Sequence, residues 1–271
     1  MMDRPSESLS DDPKAKDLFG KALASLSDDP DNAKAMLREA ADLGCTASMV
    51  LLGDVLIDGD AKEKEEAISL FRKAYEAGDS MGSRNLGYCY AIGIGVECDK
   101  VRGAEWYRIS AEAGNARAQC NLGVLYAYGH GVEQSDEKAA EWYRRSAENG
   151  YSRGRTNYAC FLRDGRGVER DPEKAAYWFE QSGSPRAKRL LAQMYLEGNG
   201  IPEDIGKARE LLESASSRDR KAMFLLGDLI YDEDRERAVS LFKRSAEKGY
   251  DEAIARLTEL GLEVPLNKSR F

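Results

Sequence analysis

The sequence predicts an all-α fold, a solenoid of about seven helix pairs closed by one capping helix. Three observations carry that prediction. The stretch "NLGYCYAIGIGVECDKVRGAEWYRISAEAG" (Asn85 to Gly114) realigns without a gap on "NLGVLYAYGHGVEQSDEKAAEWYRRSAENG" (Asn121 to Gly150). Pairing Ser80–Asn115 with Ala116–Tyr151 gives 18 identities in 36 positions, and self-similarity at such a period marks a repeat architecture. Within each copy, small and apolar residues recur at helical spacing, and glycines or capping residues punctuate the segments at matching places.

Each copy opens with a helix, designated A, centred on Leu52-Gly53, Leu86-Gly87, Leu122-Gly123, Leu191-Ala192 or Leu226-Gly227, with Tyr158-Ala159 as the variant. Four residues earlier every copy is small: Ser48, Gly82, Ala118, Gly154, Ala187 and Ala222. Small side chains there allow a neighbouring helix to approach closely. A Gly-x-Gly loop usually follows, as in Gly93-Ile94-Gly95, Gly129-His130-Gly131, Gly165-Arg166-Gly167 and Gly198-Asn199-Gly200, and its first glycine supplies the left-handed residue that ends the helix.

The second helix, B, starts from capping chemistry, clearest in Asp171-Pro172-Glu173. Its apolar pair recurs as Leu70-Phe71, Trp106-Tyr107, Trp142-Tyr143, Trp178-Phe179, Leu211-Leu212 and Leu241-Phe242, and it closes at glycine in "AYEAG", "AEAG", "AENG" and "AEKG". These pairs read as core, so truncating Trp106 or Trp142 to Ala is expected to cost roughly 3 to 5 kcal/mol. An earlier copy fits Pro13–Ser25 and Asp31–Leu43, and Asp251–Leu260 closes the far end. The interruptions at "QSGSP" and "YDEDRERAV" are expected to change the curvature without making a clean domain boundary. Segments 1–11 and 263–271 read as unpacked tails, which leaves 12–262 as a single solenoid.

The string of small residues, "NLGxxY", "GxGV", "KAAEWYRRSAE" and a closing glycine resembles the Sel1-like repeats, relatives of the tetratricopeptide repeat, over about residues 13–262. That resemblance implies antiparallel helix pairs in a right-handed superhelix, with A helices lining the concave face, and a role as adaptor or scaffold for other proteins. The outer copies depart from the pattern, with no Gly-x-Gly at Asp58-Gly59-Asp60 or Asp232-Glu233-Asp234.

Composition narrows the function classes. A formal net charge of −8, with 32% charged residues, argues against a general nucleic-acid binder, which needs clustered cations to displace counterions. No apolar run approaches the length of a membrane span, and "MMDRPSESLSDDPKAK" lacks the features of a signal peptide, so a cytoplasmic monomer is expected. The five cysteines occupy five different slots of the repeat and show no C-x-x-C spacing. They are expected to be thiols, with no zinc site and no other metal or cofactor.

Apparent catalytic residues dissolve when copies are compared. His130, the only histidine, shares its slot with Ile94, Arg166 and Asn199, so it reads as a solvated loop residue. Ser135 and Lys138 match Ser-x-x-Lys, which would suggest a hydrolase of β-lactam-like or peptidoglycan substrates, but the companion motifs are missing. Asp171 takes the place of Ser135 in the next copy, which points to helix capping. A non-enzymatic adaptor is therefore the first reading, a spacer that self-assembles end to end the second, and the hydrolase a distant third.

A binding surface should use A-helix positions that the core does not need. Five residues before the Leu of Leu-Gly the copies read Ala47, Met81, Arg117, Arg153, Arg186 and Lys221; two residues before it they read Val50, Arg84, Cys120, Thr156, Arg189 and Phe224. Immediately before it stand Asn85, Asn121 and Asn157. An amide can donate and accept at once, which suits a peptide main chain, and Arg can hold carboxylates bidentately. In tetratricopeptide relatives, Asn with Lys or Arg on the A helices clamps peptides and their terminal carboxylates. The expected site is thus Asn85, Asn121 and Asn157 for the main chain, with Arg84, Arg117, Arg153, Arg186 and Arg189 for acidic groups. Tyr88 and Tyr128 would pack an apolar side chain. The partner would be another protein or peptide, acidic or with a free C-terminal carboxylate. The commoner arrangement competes with this: cations paired to Glu on neighbouring helices, and each Asn satisfying local backbone.

Overall fold

The computed structural model describes residues 12–265, so the tail expected at 1–11, and all but the first three residues of the one expected at 263–271, lie outside the described residues. Among the described residues there are fifteen α-helices and no strand. The A helices are α1 (Pro13–Ser25), α3 (Thr46–Leu56), α5 (Ser80–Ile92), α7 (Ala116–Tyr128), α9 (Ser152–Asp164), α11 (Pro185–Glu197) and α13 (Arg220–Ile230). The B helices are α2 (Pro30–Asp42), α4 (Ala61–Glu76), α6 (Lys100–Glu112), α8 (Asp136–Glu148), α10 (Pro172–Ser182), α12 (Ile205–Ala215) and α14 (Arg235–Glu247). The closing helix is α15 (Asp251–Glu259).

Within each pair the A helix packs on its own B helix. The described residues form two compact units that divide between Asn149 and Gly150. The division falls between α8 and α9, ahead of the shortened α10 at "QSGSP".

Sequence chemistry sets the helix boundaries. Asp12, Asp29, Asp79, Asp99, Asn115, Ser135, Asp171, Ser184, Asp204, Asp219 and Asp234 each accept a hydrogen bond from the first-turn amides of the helix that follows. Asp60 and Glu63 form a full capping box on α4. Helix α7 ends at Gly129, which adopts φ 68°, a left-handed conformation that costs glycine little. The second glycine of the same loop, Gly131, has another purpose besides its φ of 72°: a Cβ there would strike the Lys100 carbonyl of the preceding B helix.

The Leu-Gly motif has a packing explanation. In four copies its glycine receives the ring of the partner B helix. A Cβ at Gly87 would lie 2.9 Å from the Tyr107 ring, at Gly123 2.7 Å from Tyr143, and at Gly227 2.7 Å from Phe242, while Gly53 stands against Phe71 in the same way. In α5 the small residue four positions earlier faces the preceding B helix; a Cβ at Gly82 would lie 2.6 Å from the Tyr75 amide. All six of these small residues are buried.

A serine on the B helix adds a recurring clasp. Ser110, Ser146, Ser182 and Ser245 donate to the first carbonyl of their own A helix, at Ser80 (2.6 Å), Ala116 (2.6 Å), Ser152 (3.0 Å) and Arg220 (2.7 Å). The clasp satisfies the hydroxyl where the two helices meet, a fully buried one at Ser110, Ser146 and Ser245.

The expected core role of the tryptophans needs correction. Trp106, Trp142 and Trp178 are only half-buried, and the following Tyr107, Tyr143 and Phe179 take the interior place at 5%, 3% and 0% exposure. Trp106 meets Tyr75 edge-on at 5.1 Å, and Trp142 lies under Arg145 at 4.7 Å. In a helix of 3.6 residues per turn, adjacent residues point about 100° apart, so only one of each apolar pair can face the core squarely.

Candidate functional site on the A helices

The A helices differ from the B helices in the charge of their first turns. None of α1, α3, α5, α7, α9, α11 and α13 has an acidic residue there. Among the B helices α2, α4, α8, α10 and α14 do, at Asp31, Glu63, Asp136 with Glu137, Glu173 and Glu236. Arg117, Arg153, Arg186 and Lys221 each stand second in their A helix, where the partial positive charge of the helix terminus disfavours a cation.

In the first unit the polar groups on this surface satisfy one another. Asn85, only 6% exposed, donates from Nδ2 to Asp54 Oδ1 at 2.7 Å and accepts from Arg84 Nη2 at 2.6 Å. Its amide is thereby engaged on both sides instead of facing a peptide. The Nε of Arg84 is buried with no hydrogen-bond partner among the described residues, while its charge faces Asp54. Burial pushes the Asp54 carboxyl above its ordinary value, against the opposing pull of Arg84 and Asn85. Burial, reinforced by the Asp54 charge, also pushes the Cys89 thiol up to about 12.

Asn121 hydrogen-bonds the Tyr107 hydroxyl, whose burial raises it to about 12. Arg117 is partly buried and has an interaction within the protein. Tyr88 and Tyr128 are exposed at 43% and 64%, and Tyr128 stacks on His130 with centroids 5.9 Å apart.

In the second unit the cations are more open. Arg153 is exposed at the start of α9, with no hydrogen bond or ion pair to a described residue. Arg186 is exposed and reaches Asn157 Oδ1 only at 3.4 Å. Arg189 is the exception: its Nε donates to Asp219 Oδ2 at 3.1 Å and its Nη1 to Gln193 Oε1 at 3.0 Å, with both charged side chains largely buried. Lys221 extends over the Tyr250 ring at 5.6 Å.

The sequence signals of catalysis have structural uses. Ser135 Oγ accepts from the Lys138 amide at 3.1 Å and donates to Glu137 Oε2 at 2.9 Å, so it caps α8, while the Lys138 ammonium lies over Tyr126. Among the described residues, no group of three or more His, Cys, Asp or Glu is placed to hold a metal ion, and no helix is long and apolar enough to cross a membrane.

Consecutive helix pairs built on one repeated pattern define the class: an α-helical repeat protein. The chain belongs to the Sel1 repeat family, whose pattern matches residues 18–45, 46–79, 80–115, 116–151, 152–184, 185–219 and 221–250. Among solved structures, it is similar to a protective antigen present in uropathogenic Escherichia coli strains and displaying an SLR fold, at 28% identity and TM-score 0.72. That likeness covers 91% of this chain and 56% of the antigen. A Sel1 repeat protein from Oxalobacter formigenes is 25% identical with TM-score 0.67, covering 96% of this chain and 81% of its own. An immunity protein from Pseudomonas aeruginosa shares the fold at 17% identity and TM-score 0.53, over 76% of this chain and 82% of that one. No curated protein matches the chain. Sel1 repeats are in general protein-interaction modules, and that coarse function applies here.

Proposed function

We propose that the chain is a non-enzymatic adaptor whose A helices hold an extended segment of a partner protein, acidic or ending in a free carboxylate. One observation carries this reading: the A helices have no acid in their first turns, and those of the second unit place exposed Arg153, Arg186 and Lys221 there. Cations in that position cost folding free energy, so their repetition across three helices needs another use. Helix termini and cations together favour an incoming anion. Five cysteines, Cys45, Cys89, Cys98, Cys120 and Cys160, none in a disulfide among the described residues, favour a reducing compartment such as the cytoplasm.

The test is isothermal titration of the full chain with acidic peptides carrying free or amidated C-termini, at low and moderate salt. The adaptor reading expects affinity that falls with salt and drops about tenfold or more in Arg117→Ala/Arg153→Ala. Equal affinity for an acidic peptide and its Gln/Asn counterpart would remove the charge-based reading.

A further inference from the structure

The second unit holds an open depression of about 810 Å³ lined by Pro185 and Arg186 at the start of α11, Arg189 one turn further on, the segment Arg218–Lys221 that begins α13, and Glu247 and Lys248 at the end of α14. Six of the lining side chains are cationic and two acidic. The acids do not neutralise the cations evenly. Asp219 is already spent: Oδ2 accepts from Arg189, and Oδ1 caps α13 by accepting from the Lys221 and Ala222 amides. Arg186, Arg218, Arg220, Lys221 and Lys248 are then opposed in the lining only by Glu247.

Two guanidiniums are fixed in place without losing their charge or all of their donors. Arg220 donates through Nη1 to the carbonyls of Lys248 (2.6 Å) and Gly249 (3.1 Å), which are neutral groups. Arg189 is tied through Nε and Nη1 to Asp219 and Gln193. The Nη2 of each has no hydrogen bond to a described residue. Arg218, Lys221 and Lys248 share the lining with them as exposed cations. Guanidiniums ordered before binding lose little further freedom when a carboxylate arrives.

We propose that this depression seats an acidic segment of a partner protein, with Arg189 and Arg220 as its fixed carboxylate anchors and Arg186, Arg218, Lys221 and Lys248 as its surrounding charge. The proposal rests on the adaptor reading above and names the part of the second unit where an acidic segment is held. The volume suits several residues and not a single ion. A chain with net charge −8 repels a long polyanion as a whole, so a local excess of cations matches a short acidic stretch better than nucleic acid.

The experiment compares matched charge reversals in the full chain: Arg218→Glu/Lys221→Glu in the depression and Lys243→Glu/Arg244→Glu at exposed positions of α14 outside its lining. Glutamate in the first turn of α13 agrees with the helix dipole, so the first variant should fold, with an unchanged circular dichroism spectrum. Each protein is titrated with a short Asp/Glu-rich peptide, its Asn/Gln counterpart, inorganic phosphate and phosphatidylserine vesicles.

The expected result is peptide affinity reduced about tenfold or more by the depression variant and much less by the control. Equal loss in both variants would attribute binding to overall charge and overturn the proposal. Stronger binding of phosphate or vesicles than of the peptide would assign the depression to another ligand and overturn it too. Binding that survives the depression variant but is lost in Arg117→Ala/Arg153→Ala would overturn this inference and leave the adaptor reading standing. Absence of binding by any acidic peptide would overturn both.

Discussion

The two units use the same repeat to opposite electrostatic ends. In the first, the polar groups on the A helices close upon themselves: Asp54 holds Asn85, Asn85 holds Arg84, with Asn85 buried and the other two half-buried. In the second, Arg153, Arg186 and Lys221 remain exposed, and a cationic depression lies at the start of α13. The lesson is that repeat identity fixes where a side chain sits, whereas its availability depends on a single neighbour. The Asp two residues after Leu52 becomes Tyr88, Val124 and Cys160 in the following copies, and with it goes the carboxylate that occupies the amide and the guanidinium.

The cores of the two units are built alike. Phe71 and Phe242 are 1% and 0% exposed against Gly53 and Gly227, so Phe71→Ala and Phe242→Ala should each cost about 3 to 5 kcal/mol by denaturant unfolding. Comparable losses would show that packing does not distinguish the units. Asp54→Ala leaves the Asn85 amide and the Arg84 charge without their partner and should cost about 1 to 3 kcal/mol. No loss would mean that the first unit's network contributes nothing to the fold.

The same carboxylate gives a pH signature. Its folded-state value lies above the ordinary 3.8, so the folded chain binds the proton more tightly than the unfolded chain. Relative to Asp54→Asn, the wild type should be most stable below that ordinary value and lose stability as pH rises through the folded-state value. Urea unfolding of both proteins across that range checks the sign. The smallest effect belongs to Arg153→Glu, which replaces a dipole-opposed cation and should raise stability by about 0.3 to 1 kcal/mol while weakening acidic peptides.

Much of this architecture was legible in the sequence. The Leu-Gly centres, the small residues and the capping aspartates place each helix pair, and Pro13–Ser25 begins and ends where the pattern places it. The Trp-Tyr pairs were harder, because composition marks both residues as core while helix geometry admits only one to the interior. The serine clasp was also present in the sequence as Ser110, Ser146, Ser182 and Ser245 at one slot, but its partner carbonyl carries no side-chain signal. At the surface, slot arithmetic found the cations and the amides together. It did not separate Asn85 from Asn157, since the deciding partner of Asn85 lies 31 residues earlier in the chain, in another copy. Arg218, Arg220 and Lys248 escaped it because they belong to inter-helix turns and helix ends instead of the repeated face.

Hydrogen–deuterium exchange of the full chain with and without an acidic peptide reads both units in one sample and locates the peptide between them. Added protection is expected in the first turns of α9, α11 and α13, with α5 unchanged. Protection centred on Asn85 in α5, with the second unit unaffected, would contradict it.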